Sequence, residues 1–222
     1  MDVELIEIGP FRALVLDNVF GDEKNKKIFR EALTLESRFG EAKVGSDGQG
    51  VRDEKIRSNL NCFYDEVFKG RRGESKLMVA IEELFRTDEF REILSCAGSP
   101  FAEFPGTNTH ETQVSAYGGT NPQEYKFHVD RFGADMSRHI SVVYWFFDEP
   151  KAFEGGNLEV SSELFYKGEK AGNGGERKTV ECKNDRMIIF PSTMPHRVTP
   201  CQSPDEHKKK RFSVNCWVGF KR

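Results

Sequence analysis

At 222 residues the chain fits one large domain more easily than two, taking about 150 residues per domain. Its 33 Lys and Arg against 36 Asp and Glu leave a net charge of −3, which argues against a general nucleic-acid binder with a basic surplus. No run reaches the roughly 20 apolar residues that span a bilayer, and Met1-Asp2-Val3-Glu4 lacks the basic-then-apolar opening of a secretory signal, so a cytoplasmic location is expected. Cys62, Cys96, Cys182, Cys201 and Cys216 form no CxxC pair, and they read as small packing residues in a reducing compartment.

Along the chain, Asp22 to Glu36 predicts a helix, with Asp22 as its cap ahead of Ile28, Phe29, Ala32 and Leu33. Residues 45–75 are rich in Gly, Asn and charge, and read as a long loop or lid. Ser75 to Ser95 places Leu77, Ile81, Leu84 and Phe85 at i, i+4, i+7 and i+8, one apolar stripe of a second helix. From about residue 111 the period changes to two. Eight short strands are expected, near 111–117, 124–130, 139–147, 156–161, 177–182, 186–190, 195–199 and 211–218. Eight antiparallel strands after two helices predict a mainly β jelly roll or barrel, with the helices buttressing one outer face. Residues 1–222 are read as one domain: 1–110 as helical and strand support with the lid, 111–222 as the β core.

Several common sites are missing. His110-Glu111-Thr112-Gln113-Val114 starts like a zincin helix but has no second His, and neither a GxSxG elbow nor a GxxxxGK[ST] loop occurs. What remains is Phe127-His128-Val129-Asp130 and, 68 residues after His128, Met194-Pro195-His196-Arg197-Val198. Alternate residues of a strand share a face, so His128 and Asp130 project together. Two imidazoles and a carboxylate can hold a metal on one side and leave positions open for other ligands, a set that suits Fe(II). The HxD alone is weak evidence, because a polar strand end reads the same way.

The final strand, Arg211-Phe212-Ser213-Val214-Asn215-Cys216-Trp217-Val218, alternates a polar face with an apolar one. An arginine on that polar wall is costly to bury without an anion. The alternative is that Arg211 continues the solvated run Lys208-Lys209-Lys210.

His128-x-Asp130, Gly155-Gly156-Asn157-Leu158, Phe190 through Val198 and Arg211-x-Ser213, in this order, resemble the iron(II)- and 2-oxoglutarate-dependent dioxygenases, especially their prolyl 4-hydroxylase-like branch. Tyr117-Gly118, Tyr125-Lys126 and Arg138 to Phe147 extend the resemblance over roughly residues 111–220, and Val15 to Phe20 is a fainter echo. The resemblance implies a double-stranded β-helix with Fe(II) on His128, Asp130 and His196. Arg211 would bind the distal carboxylate of the cosubstrate 2-oxoglutarate, with Ser213 or Tyr117 assisting, and O2 as the third reactant. Gln113, Ser115 and Tyr117 share one strand face, as a polar cavity wall would. Two departures stand out: Trp145, beside Tyr144, occupies a position where that branch often has Tyr, and a polar insert, Gln202 to Lys210, precedes Arg211.

The implied activity is hydroxylation of an unactivated C–H bond in an amino acid, a peptidyl residue such as proline, or a small natural product, with release of succinate and CO2. Arg57, Tyr125 and Trp217 are the substrate-side candidates, Arg57 by way of the lid. The partner is thus a peptide or small molecule, without membrane or nucleic acid. His139 and His207 read as structural or exposed, and so does His110, placed toward the cavity mouth. Two other readings stay open: a cupin-like binding protein without turnover, and a nucleic-acid demethylase using a patch from Arg71-Arg72 and Lys208 to Arg211.

Overall fold

The computed structural model describes residues 1–44, 50–131, 133, 136–163, 165–166, 169–170, 175–203 and 211–220. It opens on a hairpin that the sequence did not announce, β1 (Asp2–Ile8) and β2 (Phe11–Asp17). Gly9 turns this hairpin at φ +54°, and a Cβ there would meet Ser162 Cβ at 2.7 Å, so only glycine fits. Helix α1 (Gly21–Thr34), short strands β3 (Gly40–Glu41) and β4 (Leu60–Phe63), and a single turn α2 (Tyr64–Val67) follow. Next come α3 (Lys76–Arg86) and α4 (Asp88–Ala97). The rest is β: β5 (Thr109–Tyr117), β6 (Gln123–His128), β7 (Ile140–Phe146), β8 (Glu154–Gly155) and β9 (Leu158–Ser161). A small hairpin, β10 (Phe165–Tyr166) and β11 (Glu169–Lys170), leads to β12 (Arg177–Val180), β13 (Arg186–Pro191), β14 (His196–Gln202) and β15 (Arg211–Gly219). All eight expected strands are there.

They form two antiparallel sheets, the larger in the order β1-β2-β13-β7-β15-β5-β4-β3 and the smaller in the order β12-β9-β14-β6, with β8 also on β14. The period-two alternation sorts the large sheet's residues. Ile140, Val142, Tyr144, Phe146, Phe212, Val214, Cys216 and Val218 turn to one side, where they pack with Ile28, Leu77, Ile81, Leu84, Phe85 and Phe90 of the helices. Val143, Trp145, Ile188 and Phe190 turn to the other side and pack against Leu158, Val160 and Val198 of the small sheet. Full burial of such side chains contributes about 1.5–3 kcal/mol each, so both layers hold to the large sheet. This is the expected jelly roll with helices on one outer face.

Three expectations need correcting. The helix foreseen over Ser75 to Ser95 is two helices, broken at Thr87, whose φ −70° and ψ 141° are extended and whose side chain accepts from Phe90 N. A capping threonine followed by Asp88 and Glu89 starts a new helix rather than continuing one. Asp22 does not cap α1 but pairs with Lys26 at 2.6 Å. The cap comes from Asp185, whose carboxylate accepts from Phe20 N at 2.9 Å and Gly21 N at 2.8 Å. Finally, the stretch 45–75 is not a structureless lid. Residues 45–49 lie outside the described ones, but Leu60–Phe63 pairs with β5 as part of the large sheet, and Arg57 bridges to Tyr125.

Candidate active site

The space between the sheets is polar at one end. His128 and His196 are direct cross-strand partners on β6 and β14, so their rings meet with centroids 4.2 Å apart. Asp130 lies just beyond β6, where its N–H and that of Arg131 both donate to Ser192 O, at 2.9 and 3.0 Å. Its carboxylate reaches back to 3.6 Å from His128 Nε2 and 3.5 Å from His196 Nε2. Adjacent ligands of a first-row metal sit about 3 Å apart. These three residues are the group that could hold a metal among the described residues.

The second contacts of each ring set its tautomer. His128 Nδ1 is 2.8 Å from Lys126 O and His196 Nδ1 is 2.9 Å from Met194 O. A carbonyl can only accept, so both Nδ1 atoms carry the proton, and both Nε2 lone pairs point at the shared space. Burial, with His128 beside it, pushes the His196 pKa down to about 4 and keeps the ring neutral. Burial opposes ionisation of Asp130, but His196, His128 and the Ser141 hydroxyl outweigh it and hold the carboxyl well below the usual carboxylate range. Ser141 Oγ donates to Asp130 Oδ2 at 2.6 Å and contacts Ser192 Oγ at 2.8 Å. Neither serine was singled out from the sequence. Ser141 is the one hydroxyl-bearing aliphatic side chain in the apolar run 140–147, and Ser192 lies inside the Phe190 to Val198 motif.

The polar wall lies on β5 and β15, whose register pairs Arg211 with Tyr117, Ser213 with Ser115, Asn215 with Gln113 and Trp217 with Glu111. Arg211 is fully buried and does not belong to a surface lysine run. Its Nη1 donates to Ser213 Oγ at 3.2 Å and its guanidinium lies 4.6 Å from the Tyr117 ring centroid. Its Nε and Nη2 have no hydrogen-bond partner among the described residues. The nearby Cys182 thiol, whose pKa burial raises and this guanidinium opposes, is a weak acceptor that leaves the charge unbalanced. Gly156, at φ +71°, lets the arginine lie flat, because a Cβ there would come within 3.0 Å of Arg211 Cδ. Trp145, opposite Ser213, does face this cavity, 5.9 Å from the Arg211 guanidinium, whereas Tyr144 turns away and binds Asn25 and Asp185.

The substrate-side candidates flank the histidines. Tyr125 stacks on His128 with centroids 3.6 Å apart, and burial raises its pKa to about 12. Arg57 lies 4.6 Å over the Tyr125 ring and donates to Asn59 Oδ1 and Gln113 Oε1, both at 2.8 Å. Trp217 lies under the Arg138 guanidinium at 3.9 Å, and Arg138 also pairs with Glu111. His110 faces the helix side, 5.6 Å from the Phe85 ring, rather than the cavity mouth. His139 is buried with Nε2 3.0 Å from Glu103 Oε2, and His207 lies outside the described residues. Of the basic patch, Lys208 to Lys210 lie outside the described residues and the arginines do not come together. Arg72 pairs with Asp65 and Glu82, Arg71 with Glu74, and Arg211 is interior.

A family model described as the 2OG-Fe(II) oxygenase superfamily matches residues 112–219, from within β5 to the end of β15. That stretch, just under half of the chain, is similar to the 2OG-Fe(II) oxygenase superfamily. An uncharacterized PKHD-type hydroxylase from Synechocystis sp. is 26% identical over 207 residues, 91% of this chain. The chain spans 61% of that relative's length. Two solved structures share the double-stranded β-helix. One is a prolyl hydroxylase from Trichoplax adhaerens, solved with a peptide of a hypoxia-inducible factor. It has 16% identity and a TM-score of 0.66, over 93% of this chain and 83% of that one. The other is a prolyl-4-hydroxylase from Pseudomonas putida, with 19% identity and a TM-score of 0.60, over 95% and 93%. The match leaves out β1 to β4 and the helices, and with them the Arg57 segment. Among the described residues no helix is long and apolar enough to cross a membrane.

Proposed function

We propose that this oxygenase is a hydroxylase that uses Fe(II), O2 and 2-oxoglutarate to oxidise an unactivated C–H bond of a peptidyl residue, an amino acid or a small natural product. The observation that carries the reading is Arg211: a fully buried cation with two donor atoms lacking a partner among the described residues, on the same strand face as Trp217 and against Tyr117, which shares a cluster with the Tyr125 that stacks on His128. A chain does not bury such a charge for stability. It suits the distal carboxylate of a dicarboxylate, which a guanidinium can bind with two parallel hydrogen bonds.

The donor set fits the metal as well. His128 and His196 would give Nε2 and Asp130 a carboxylate oxygen, and Ser141 would orient that carboxylate from behind. When bound, iron and the keto acid supply O2-driven decarboxylation to succinate and CO2, coupled to hydroxylation of the substrate. The chain's own part is positional. Ser213 and Tyr117 hold the Arg211 fork, Trp145 and Cys201 close the far end, and Tyr125 braces His128. The apolar layer of Val143, Ile188 and Phe190 keeps water from the rest of the chamber. Names of the relatives, hydroxylases in each of the three cases, support the same reaction class.

The test is Fe(II)-dependent conversion of 2-oxoglutarate to succinate by the full chain, compared with Asp130→Ala. Wild type should release succinate and the variant should release none. A wild type that binds iron and 2-oxoglutarate without producing succinate is instead a cupin-like binding protein.

A further inference from the structure

Arg57 is a second buried cation beside the same tyrosine and histidines, 7% exposed, and its side-chain hydrogen-bond partners among the described residues include no acid. Nε donates to Asn59 Oδ1, Nη2 to Gln113 Oε1 with a longer contact to Ser115 Oγ at 3.4 Å, and Nη1 only to Lys43 O at 3.4 Å. Every one of these acceptors is neutral. One Nη1 hydrogen has no acceptor among the described residues. The other charged side chains of β5, β6 and β14 cancel in pairs: Glu111 with Arg138, Glu124 with Lys126 and Glu159 with Arg197.

Charge then decides what is missing. With a divalent metal, the positive charges of the cavity are the ion's two plus one each on Arg57 and Arg211. Asp130 and doubly charged 2-oxoglutarate supply three negative ones. One positive charge is left in a region shielded from water, where an unpaired charge is costly. It resides on Arg57, because Arg211 has the cosubstrate.

We infer that Arg57 is the binding residue for a carboxylate on the substrate to be hydroxylated, so that the substrate class is a monoanionic organic acid. The inference rests on the hydroxylase reading for its charge count. Gln113 and Asn59 hold the guanidinium from one side, the Tyr125 ring supports its face, and that ring in turn stacks on His128. The acid group is therefore fixed beside the metal-binding rings rather than at the far end with Arg211. A carboxylate meets this site better than a phosphate monoester, whose second charge would have no counterpart. An amide or ester would leave the arginine unbalanced.

The experiment uses the full chain loaded with Ni(II), which does not turn over, and saturated with 2-oxoglutarate. N-acetyl derivatives of the standard amino acids are titrated calorimetrically, each as the free acid and as the primary amide. At least one acid should bind at least tenfold more tightly than its amide. Arg57→Gln should weaken that acid at least tenfold more than it weakens 2-oxoglutarate, and Arg211→Gln should do the reverse. Arg57→Lys, which keeps the charge but not the fork, should fall between wild type and Arg57→Gln. Acids and amides binding alike, no acid binding at all, or Arg57→Gln acting mainly on 2-oxoglutarate would each overturn the inference. Failure of the hydroxylase reading looks different: the Fe(II) enzyme makes no succinate, yet the acid–amide contrast and its loss in Arg57→Gln persist.

Discussion

The two faces of the large sheet come from the same strands and differ by one residue in phase. On the helix side, Phe212 stacks on Phe146 at 5.6 Å and meets Phe29 and Phe39 at 5.9 and 5.7 Å. There Tyr144 is satisfied by Asn25 and Asp185, and the Tyr64 hydroxyl is the buried polar atom without a partner among the described residues. One position along, the cavity side buries Arg211, Trp145 and Trp217 with ring or guanidinium nitrogens that lack partners among the described residues. One face is almost wholly apolar and carries no unbalanced charge. The other keeps donors in reserve, and reserved donors are what a ligand would complete.

That contrast can be broken most forcefully on the helix side. Phe212→Ala leaves a cavity among three aromatic rings and should cost about 3–5 kcal/mol in chemical denaturation. A loss under about 1 kcal/mol would mean that the aromatic layer is loosely packed. The cavity side should respond in the opposite sense. Arg211→Met removes an unbalanced buried cation and should leave the ligand-free protein as stable as before, or more stable by about 1–4 kcal/mol. Its affinity for 2-oxoglutarate should fall by about 2–5 kcal/mol, as when one partner of a buried charged pair is lost. A destabilised Arg211→Met protein with normal 2-oxoglutarate affinity would make the arginine a structural element.

Smaller effects sharpen the same division. Ser141→Ala removes the hydroxyl that orients Asp130 and should weaken metal binding about 10–100-fold in a metal titration, with little change in melting temperature. Unaltered metal affinity would show that the Ser192 backbone contacts suffice to place the carboxylate. At the edge of the sheet, Arg186 donates to both Asp17 carboxylate oxygens, at 2.6 and 2.7 Å. That bidentate pair lowers the Asp17 pKa below its ordinary 3.8. Its stabilisation is present above the unfolded pKa and is lost as the pH falls through the folded one. Asp17→Asn should therefore cost about 1 kcal/mol near pH 7, a partly exposed pair being screened, and the gap to wild type should close in acid below about pH 4. A constant gap at every pH would place its cause in packing instead.

What the sequence disclosed follows the reach of its signals. The eight core strands were legible because alternation is local, and the three candidate metal ligands because HxD and the later His stand in short motifs. Arg211 was legible from the alternation of its own strand. The hairpin β1–β2 escaped although it alternates, since Val3 and Leu5 stay exposed and the strand lies at the sheet's edge. Arg57 was noticed but assigned to a lid, because its partners Gln113 and Ser115 lie 56 and 58 residues away. The cap of α1 was credited to Asp22 for the same reason: the residue that performs it is 164 positions distant from Gly21.

Asp185 also constrains when the molecule can become itself. At the turn before β13, with φ +59°, it caps α1, holds the Tyr144 hydroxyl and bonds through its backbone to Val19 and Trp145. Strand β2, paired with β1 on one side, likewise finds its second neighbour in β13. During synthesis the opening hairpin and first helix leave the ribosome long before these partners exist. They must wait uncapped and half-paired until β13 has been translated, and closing loops of that length slows folding. The exposed edge of β2 is then the surface a chaperone would most usefully cover.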